Sequence, residues 1–170
     1  VFVPGAKRRL TLERAKTLLA EYRKNPNYKS SIQIVGLFAN QPVHEVNSTA
    51  AMLSLDAVQL SGSEGMDYCA QIDFPVYKTI HIDASLPSAA LMPKLMVLLQ
   101  RHNMAGHRLI LDTQVTESFG GSGQTFDWNI AADLSGSFGF SLAGGLTPEN
   151  AGDAIKLVRP WGVDTSSGVE

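Results

Sequence analysis

Phe138-Gly139-Phe140-Ser141-Leu142-Ala143-Gly144-Gly145-Leu146-Thr147-Pro148-Glu149-Asn150 is the stretch that decides the fold class. Phe138 to Leu142 is a short apolar run of the buried-strand kind, and it breaks into a glycine pair. Thr147-Pro148-Glu149 then reads as a helix start, with Thr147 as cap and Pro148 at the first position, where its missing N–H is not needed. The helix is predicted to run to about Val158, and Trp161-Gly162-Val163-Asp164 follows as another strand. Strand, glycine turn, helix and strand in succession is the unit of a parallel sheet, because a parallel neighbour needs a long crossover.

The same unit recurs upstream. Phe2-Val3 reads as the end of a strand. Thr11 to Lys24 reads as a helix capped by Thr11, with Leu12, Ala15, Leu18, Leu19 and Tyr22 at three- and four-residue spacing. Further strands are predicted at Ile32 to Phe38, Ala57 to Leu60, Val76 to Ile82 and Arg108 to Asp112. Helices are predicted from about Pro42 to Ser54, from Glu64 to Ile72, near Asn129 to Leu134, and to Met104 from a first turn containing Pro93. Strands alternating with helices define an α/β protein.

Two architectures fit this alternation, an open doubly wound sheet and a (β/α)8 TIM barrel. Polar and glycine-rich residues follow several strand ends: Asn40, Gln59-Leu60-Ser61-Gly62, Asp112, Gly144-Gly145 and Ser166-Ser167-Gly168. A barrel draws its site from many strand ends, whereas an open sheet concentrates it at one switch point. The barrel is therefore expected, as one domain over residues 1–170. It is expected to be incomplete, since such barrels usually take about 200 residues or more.

Composition removes other classes. With 44% hydrophobic and 18% charged residues the chain is an ordinary globular one. A net charge of -2 gives no broad basic surface for nucleic acid or an anionic membrane, yet local amides can still hold a small anionic substrate. No apolar run reaches the roughly 20 residues of a membrane span. Val1-Phe2-Val3-Pro4 lacks the features of a signal peptide. The single cysteine, Cys69, excludes an internal disulfide, fits a reducing compartment such as the cytoplasm, and reads as a small packing residue in a helix. His44, His81, His102 and His107 show no metal-ligand spacing, so neither a metal nor another cofactor is expected.

Three groups of residues carry chemical alternatives. Asp112, after Leu109-Ile110-Leu111, is either a turn aspartate or a general acid whose pKa desolvation raises. The turns at Gly144-Gly145 and Ser166-Ser167-Gly168 are either tight connections or the phosphate site that the last two strands of such barrels commonly form. Lys7-Arg8-Arg9 is either a solvated face or the source of one guanidinium turned toward a carboxylate. Gly120-Gly121-Ser122-Gly123, shortly after Asp112, reads as a lid or a flexible linker.

Taken in order, Leu111-Asp112-Thr113, Gly120 to Trp128, Leu142-Ala143-Gly144-Gly145-Leu146-Thr147-Pro148-Glu149-Asn150 and Val163-Asp164-Thr165-Ser166-Ser167-Gly168-Val169-Glu170 resemble phosphoribosylanthranilate isomerase. Gly36-Leu37-Phe38-Ala39-Asn40-Gln41-Pro42 and Val58-Gln59-Leu60-Ser61-Gly62 extend the resemblance over nearly the whole chain. The Asn-Gln-Pro segment and the Lys7-Arg8 region look closest to fungal members. The resemblance implies a (β/α)8 barrel that carries out an Amadori rearrangement in tryptophan biosynthesis on a small phosphorylated substrate. It implies that Asp112 is the general acid, that Gly144, Gly145, Ser166, Ser167 and Gly168 hold the phosphate through backbone amides, and that Arg8 grips the anthranilate carboxylate.

The family's base is a cysteine on its first strand, in a Lys-(Ile or Val)-Cys-Gly pattern that these residues do not contain, and Cys69 lies in the wrong element to replace it. Ser61 stands where the family usually has histidine. The expectation is a chain cut at both ends, running from the second strand to the loop after the eighth, and in its parent chain open to fusion with other tryptophan-pathway domains. The rival readings are another phosphate-binding barrel enzyme, such as indole-glycerol-phosphate synthase, and a non-catalytic phosphate-binding relic. The first would need a catalytic lysine at a strand end, which the sequence does not place.

Overall fold

The computed structural model describes residues 1–83, 85–113 and 126–169. They fall into two compact units, Val1–Tyr77 and Lys78–Glu170, each of alternating helices and strands.

In the first unit, Thr11 caps α1 (Leu12–Lys24) as expected, its hydroxyl accepting from Arg14 N at 3.2 Å. Phe2 is not in a strand. Its amide donates to Leu37 O at 2.9 Å and its ring stacks on Phe38 at 5.2 Å, which is one bonded contact beside β1 (Val35–Phe38) and not a ladder. β1 is shorter than the Ile32 to Phe38 run, because Ile32 closes a turn on Lys29 O and is half exposed. After α2 (Val43–Leu53), β2 (Ala57–Leu60) runs parallel to β1 with Phe38 opposite Leu60. α3 (Met66–Cys69) covers only the middle of the expected helix. Phe38, Val46, Ala50, Val58 and Leu60 form the core, and Cys69 packs into it as expected.

The second unit opens on β3 (Val76–Ile82), whose first two residues belong to the first unit. α4 (Ser88–Met104) starts earlier than Pro93 suggested. Leu91 N already donates to Pro87 O at 3.3 Å, so Pro87 begins the helix and Pro93 lies inside it. β4 (Arg108–Thr113), α5 (Trp128–Ser135), β5 (Phe140–Leu142), α6 (Ala151–Val158) and β6 (Gly162–Val163) complete the unit, with a 3-10 turn at Ser167–Val169. β5 pairs in parallel with both β4 and β6. Its core gathers Ile80, Leu99, Leu111, Leu134, Leu142 and Val158.

Two expectations change here. α6 begins at Ala151 and not at Pro148, because Thr147 to Asn150 form a separate turn, with Asn150 N donating to Thr147 O at 3.3 Å. His102 and His107, expected to be scattered, meet with their Nδ1 atoms 2.9 Å apart. Burial, then the His107 and Lys78 charges, push His102 down to about 4, so it is neutral at neutral pH.

Candidate active site

Strand register brings two carboxylates together. Leu111 pairs with Leu142, and Leu142 with Val163, so the next row across the sheet is Asp112, Ala143 and Asp164. The backbone continues into that row, Ala143 N donating to Leu111 O at 2.7 Å and Asp164 N to Leu142 O at 2.8 Å. Residues in one row of a parallel sheet point to the same face, so Asp112 and Asp164 flank Ala143 on one side.

Asp112 is half-buried, and burial raises its pKa above the ordinary 3.8. The His81 charge and a bond from the Thr113 amide oppose the rise, while the Asp164 carboxylate adds to it. Burial also raises Asp164, but that residue keeps an exposed surface through which solvent tempers the effect. The environment therefore holds a proton on Asp112 to higher pH than on a free aspartate, which a general acid requires.

Beyond β5 the chain passes through Gly144 at φ 86° and Gly145 at φ 65°, a left-handed pair that residues with a Cβ resist. Gly144 is needed for a second reason. A Cβ there would lie 2.8 Å from Asp112 Oδ1, 2.7 Å from Thr113 N and closer still to Thr113 Oγ1. The bare α-carbon is what lets the turn close over the acid. Gly168 plays a comparable part from the other side, since a Cβ on it would overlap the Leu146 carbonyl.

Asp112, Gly144, Gly145, Ser166, Ser167 and Gly168 consequently line one cleft. Asp164 and Thr165 line it too. Arg8 belongs to the first unit, exposed in the turn at Lys7-Arg8. Asp164 was missed as a site residue on its own merits. It stands just past its strand as Asp112 stands at the end of β4, so the strand-end rule that singled out one acid points equally to the other. Gly120 to Gly123 lie outside the described residues. On either side of that segment, Thr113 Oγ1 accepts from Phe126 N at 3.2 Å.

The strand ends of the first unit are polar for an internal reason. Glu64, buried, accepts from Asn40 N at 2.7 Å and from Gly62 N at 2.9 Å, and Asn40 Oδ1 accepts from Ser63 N at 2.8 Å. The loops after β1 and β2 are thereby braced together. Ser61, also buried, accepts from Gln59 Nε2 at 3.2 Å.

The family model for N-(5'phosphoribosyl)anthranilate (PRA) isomerase matches residues 1–170. The N-(5'-phosphoribosyl)anthranilate isomerase of Dehalococcoides mccartyi is 41% identical over 165 residues, which are 97% of this chain and 74% of that protein. The crystal structure of phosphoribosyl anthranilate isomerase from Thermotoga maritima is similar with a TM-score of 0.78 and 34% identity, over 99% of this chain and 76% of that one. A phosphoribosyl anthranilate isomerase solved with reduced 1-(o-carboxyphenylamino)-1-deoxyribulose 5-phosphate gives a TM-score of 0.74 at 30% identity, over 99% and 74% of the two chains.

Proposed function

Since this chain belongs to the N-(5'-phosphoribosyl)anthranilate isomerase family, we propose that the cleft around Asp112 is where its substrate is turned over. The activity is the isomerisation of N-(5'-phosphoribosyl)anthranilate, an aldose–ketose conversion in tryptophan biosynthesis. The supporting observation for the division of roles is that one proton-retaining acid and two glycine turns share one cleft. In this reading Asp112 donates its proton to the ribose ring oxygen. The C1'–O bond breaks, and the anthranilate nitrogen's lone pair forms the C1'=N bond. A general base then takes the C2' proton, giving an enol that tautomerises to the ketose. The fold we assign is the (β/α)8 barrel of the family resemblance, supported by the helix–strand alternation. We place the enzyme in the cytoplasm on the class of reaction. Fusion to other domains of the pathway, suggested by the fungal-like motifs, is tested by reading the coding sequence on either side.

Phosphate is assigned to the backbone amides at Gly144, Gly145, Ser166, Ser167 and Gly168, where missing or short side chains let an oxyanion approach. Gly145→Val puts a branched side chain on a left-handed residue at that turn. The expected result is a sharp rise in KM in a protein that still melts cooperatively. An unchanged KM would place the phosphate elsewhere.

Arg8 is assigned to the anthranilate carboxylate. A relative has been solved with a ligand bearing both a carboxyphenyl group and a phosphate, so two anionic anchors are a reasonable demand on this site. Arg8→Ala should weaken anthranilate-bearing ligands by about 2–3 kcal/mol, the value of a charge-assisted pair, with little effect on inorganic phosphate. Equal weakening of both ligands would mark a general defect of the fold. The direct test of the function is conversion of the substrate to its ketose isomer, an isobaric product distinguished by NMR. Binding without conversion by the full-length protein would overturn the assignment.

A further inference from the structure

The phosphate assignment leaves open what holds two consecutive left-handed glycines in one shape. We propose that Asn150 and Thr165 are positioning residues for phosphate binding, acting by clamping Leu146 between the two turns. The inference rests on the reading that phosphate sits at those turns.

Asn150 occupies the cap position of α6, where an asparagine side chain ordinarily accepts from the helix's own first amides. Here it makes no such bond. Its Oδ1 accepts from Thr147 N at 2.9 Å, and its Nδ2 donates to Gly145 O at 2.9 Å. Those two groups belong to the two peptide units flanking Leu146. From the opposite side, Thr165 Oγ1 donates to Leu146 O at 2.9 Å, and the bare α-carbon of Gly168 packs against the same carbonyl. The Leu146 side chain is buried in the core of the second unit. The helix cap, the first glycine turn and the turn after β6 are therefore tied through one residue. Gly144 and Gly145 have more backbone freedom than any other residue type, and each unclamped conformation must be given up when an anion binds. The clamp fixes the loop before the ligand arrives, so its loss should weaken binding while leaving the acid in place.

The test uses the full-length enzyme and follows kcat, KM, inhibition by inorganic phosphate and thermal melting. Thr165→Val should raise KM and the phosphate inhibition constant by about five- to tenfold, the effect of one neutral hydrogen bond, with kcat little changed. Thr165→Ser, which keeps the hydroxyl, should restore both. Asn150→Ala should behave as Thr165→Val does. Asn150→Asp keeps the acceptor for Thr147 N and loses the donor to Gly145 O, so it should remain impaired. Unchanged KM and phosphate inhibition in folded Thr165→Val and Asn150→Ala would overturn the clamp. So would a Thr165→Ser variant as weak as Thr165→Val, or losses of kcat that merely follow the melting temperature. Gly145→Val separates the two failures. If it weakens phosphate while the clamp variants do not, the clamp alone is wrong. If it too leaves phosphate inhibition unchanged, the phosphate site is wrong and the clamp falls with it.

Discussion

Asp112→Asn is expected to lower kcat by about 100-fold or more with KM nearly unchanged, because the amide keeps the shape of the acid but has no proton to give. The expectation follows from where register places the side chain. Asp112, Ala143 and Asp164 share a row, and burial together with the Asp164 carboxylate holds the Asp112 proton against the opposing charge of His81. Activity should accordingly decline on the alkaline side with an apparent pKa above that of an ordinary aspartate, and Asp164→Asn should move that limb downward. A variant at 112 that keeps most of its kcat would remove Asp112 from the acid's role.

The same substitution should make the protein more stable at neutral pH. The folded pKa of Asp112 is raised, so between the unfolded value and the folded value the native state binds more protons than the unfolded state. Stability then falls as pH rises through that window and stays lower above it. Asparagine carries no charge to bury, so its advantage in melting temperature should be present at neutral pH and should shrink as pH falls through the carboxylate range. Lower activity with higher stability is the signature of a group kept for chemistry, and a turn aspartate would show the opposite on both counts.

Much of this site was legible because strand ends in an α/β protein are marked by composition. Ala57–Leu60 and Val76–Ile82 are short runs bounded by turn residues, and the structure ends them at the expected residues. Asp112 and the two glycine turns were visible for the same reason. What escaped the sequence was decided by bonds between residues far apart in it or by competition between adjacent caps. Pro93 looked like a helix start, yet Pro87 offers its carbonyl to Leu91 first. Thr147 looked like the cap of α6, yet Asn150 turns its side chain back to Thr147 N and Gly145 O, and the helix waits until Ala151. The row that joins Asp164 to Asp112 exists only once β4, β5 and β6 are in register, which no local pattern states.

Gly144→Ala should carry a large cost for a one-methyl change. Two penalties add at this residue. Its φ of 86° lies in the left-handed region, where a Cβ costs about 1–2 kcal/mol. The new methyl would also meet Thr113 N at 2.7 Å and Asp112 Oδ1 at 2.8 Å, and overpacking of that kind typically costs about 1–3 kcal/mol. A combined loss of about 2–5 kcal/mol should lower the melting temperature by roughly 5–15 °C in a chain of this size. The chemistry should suffer beyond the stability, because the turn and the acid cannot both keep their places. Relief requires Asp112 to move by a good part of an ångström, and misplacement on that scale costs on the order of 100-fold in rate. Steady-state kinetics well below the melting temperature separates the two effects. A Gly144→Ala enzyme with unaltered kcat and melting temperature would mean that the turn does not close over Asp112. A loss of stability alone, with kcat intact, would mean that the strain is relieved in the loop and that the position of the acid does not depend on it.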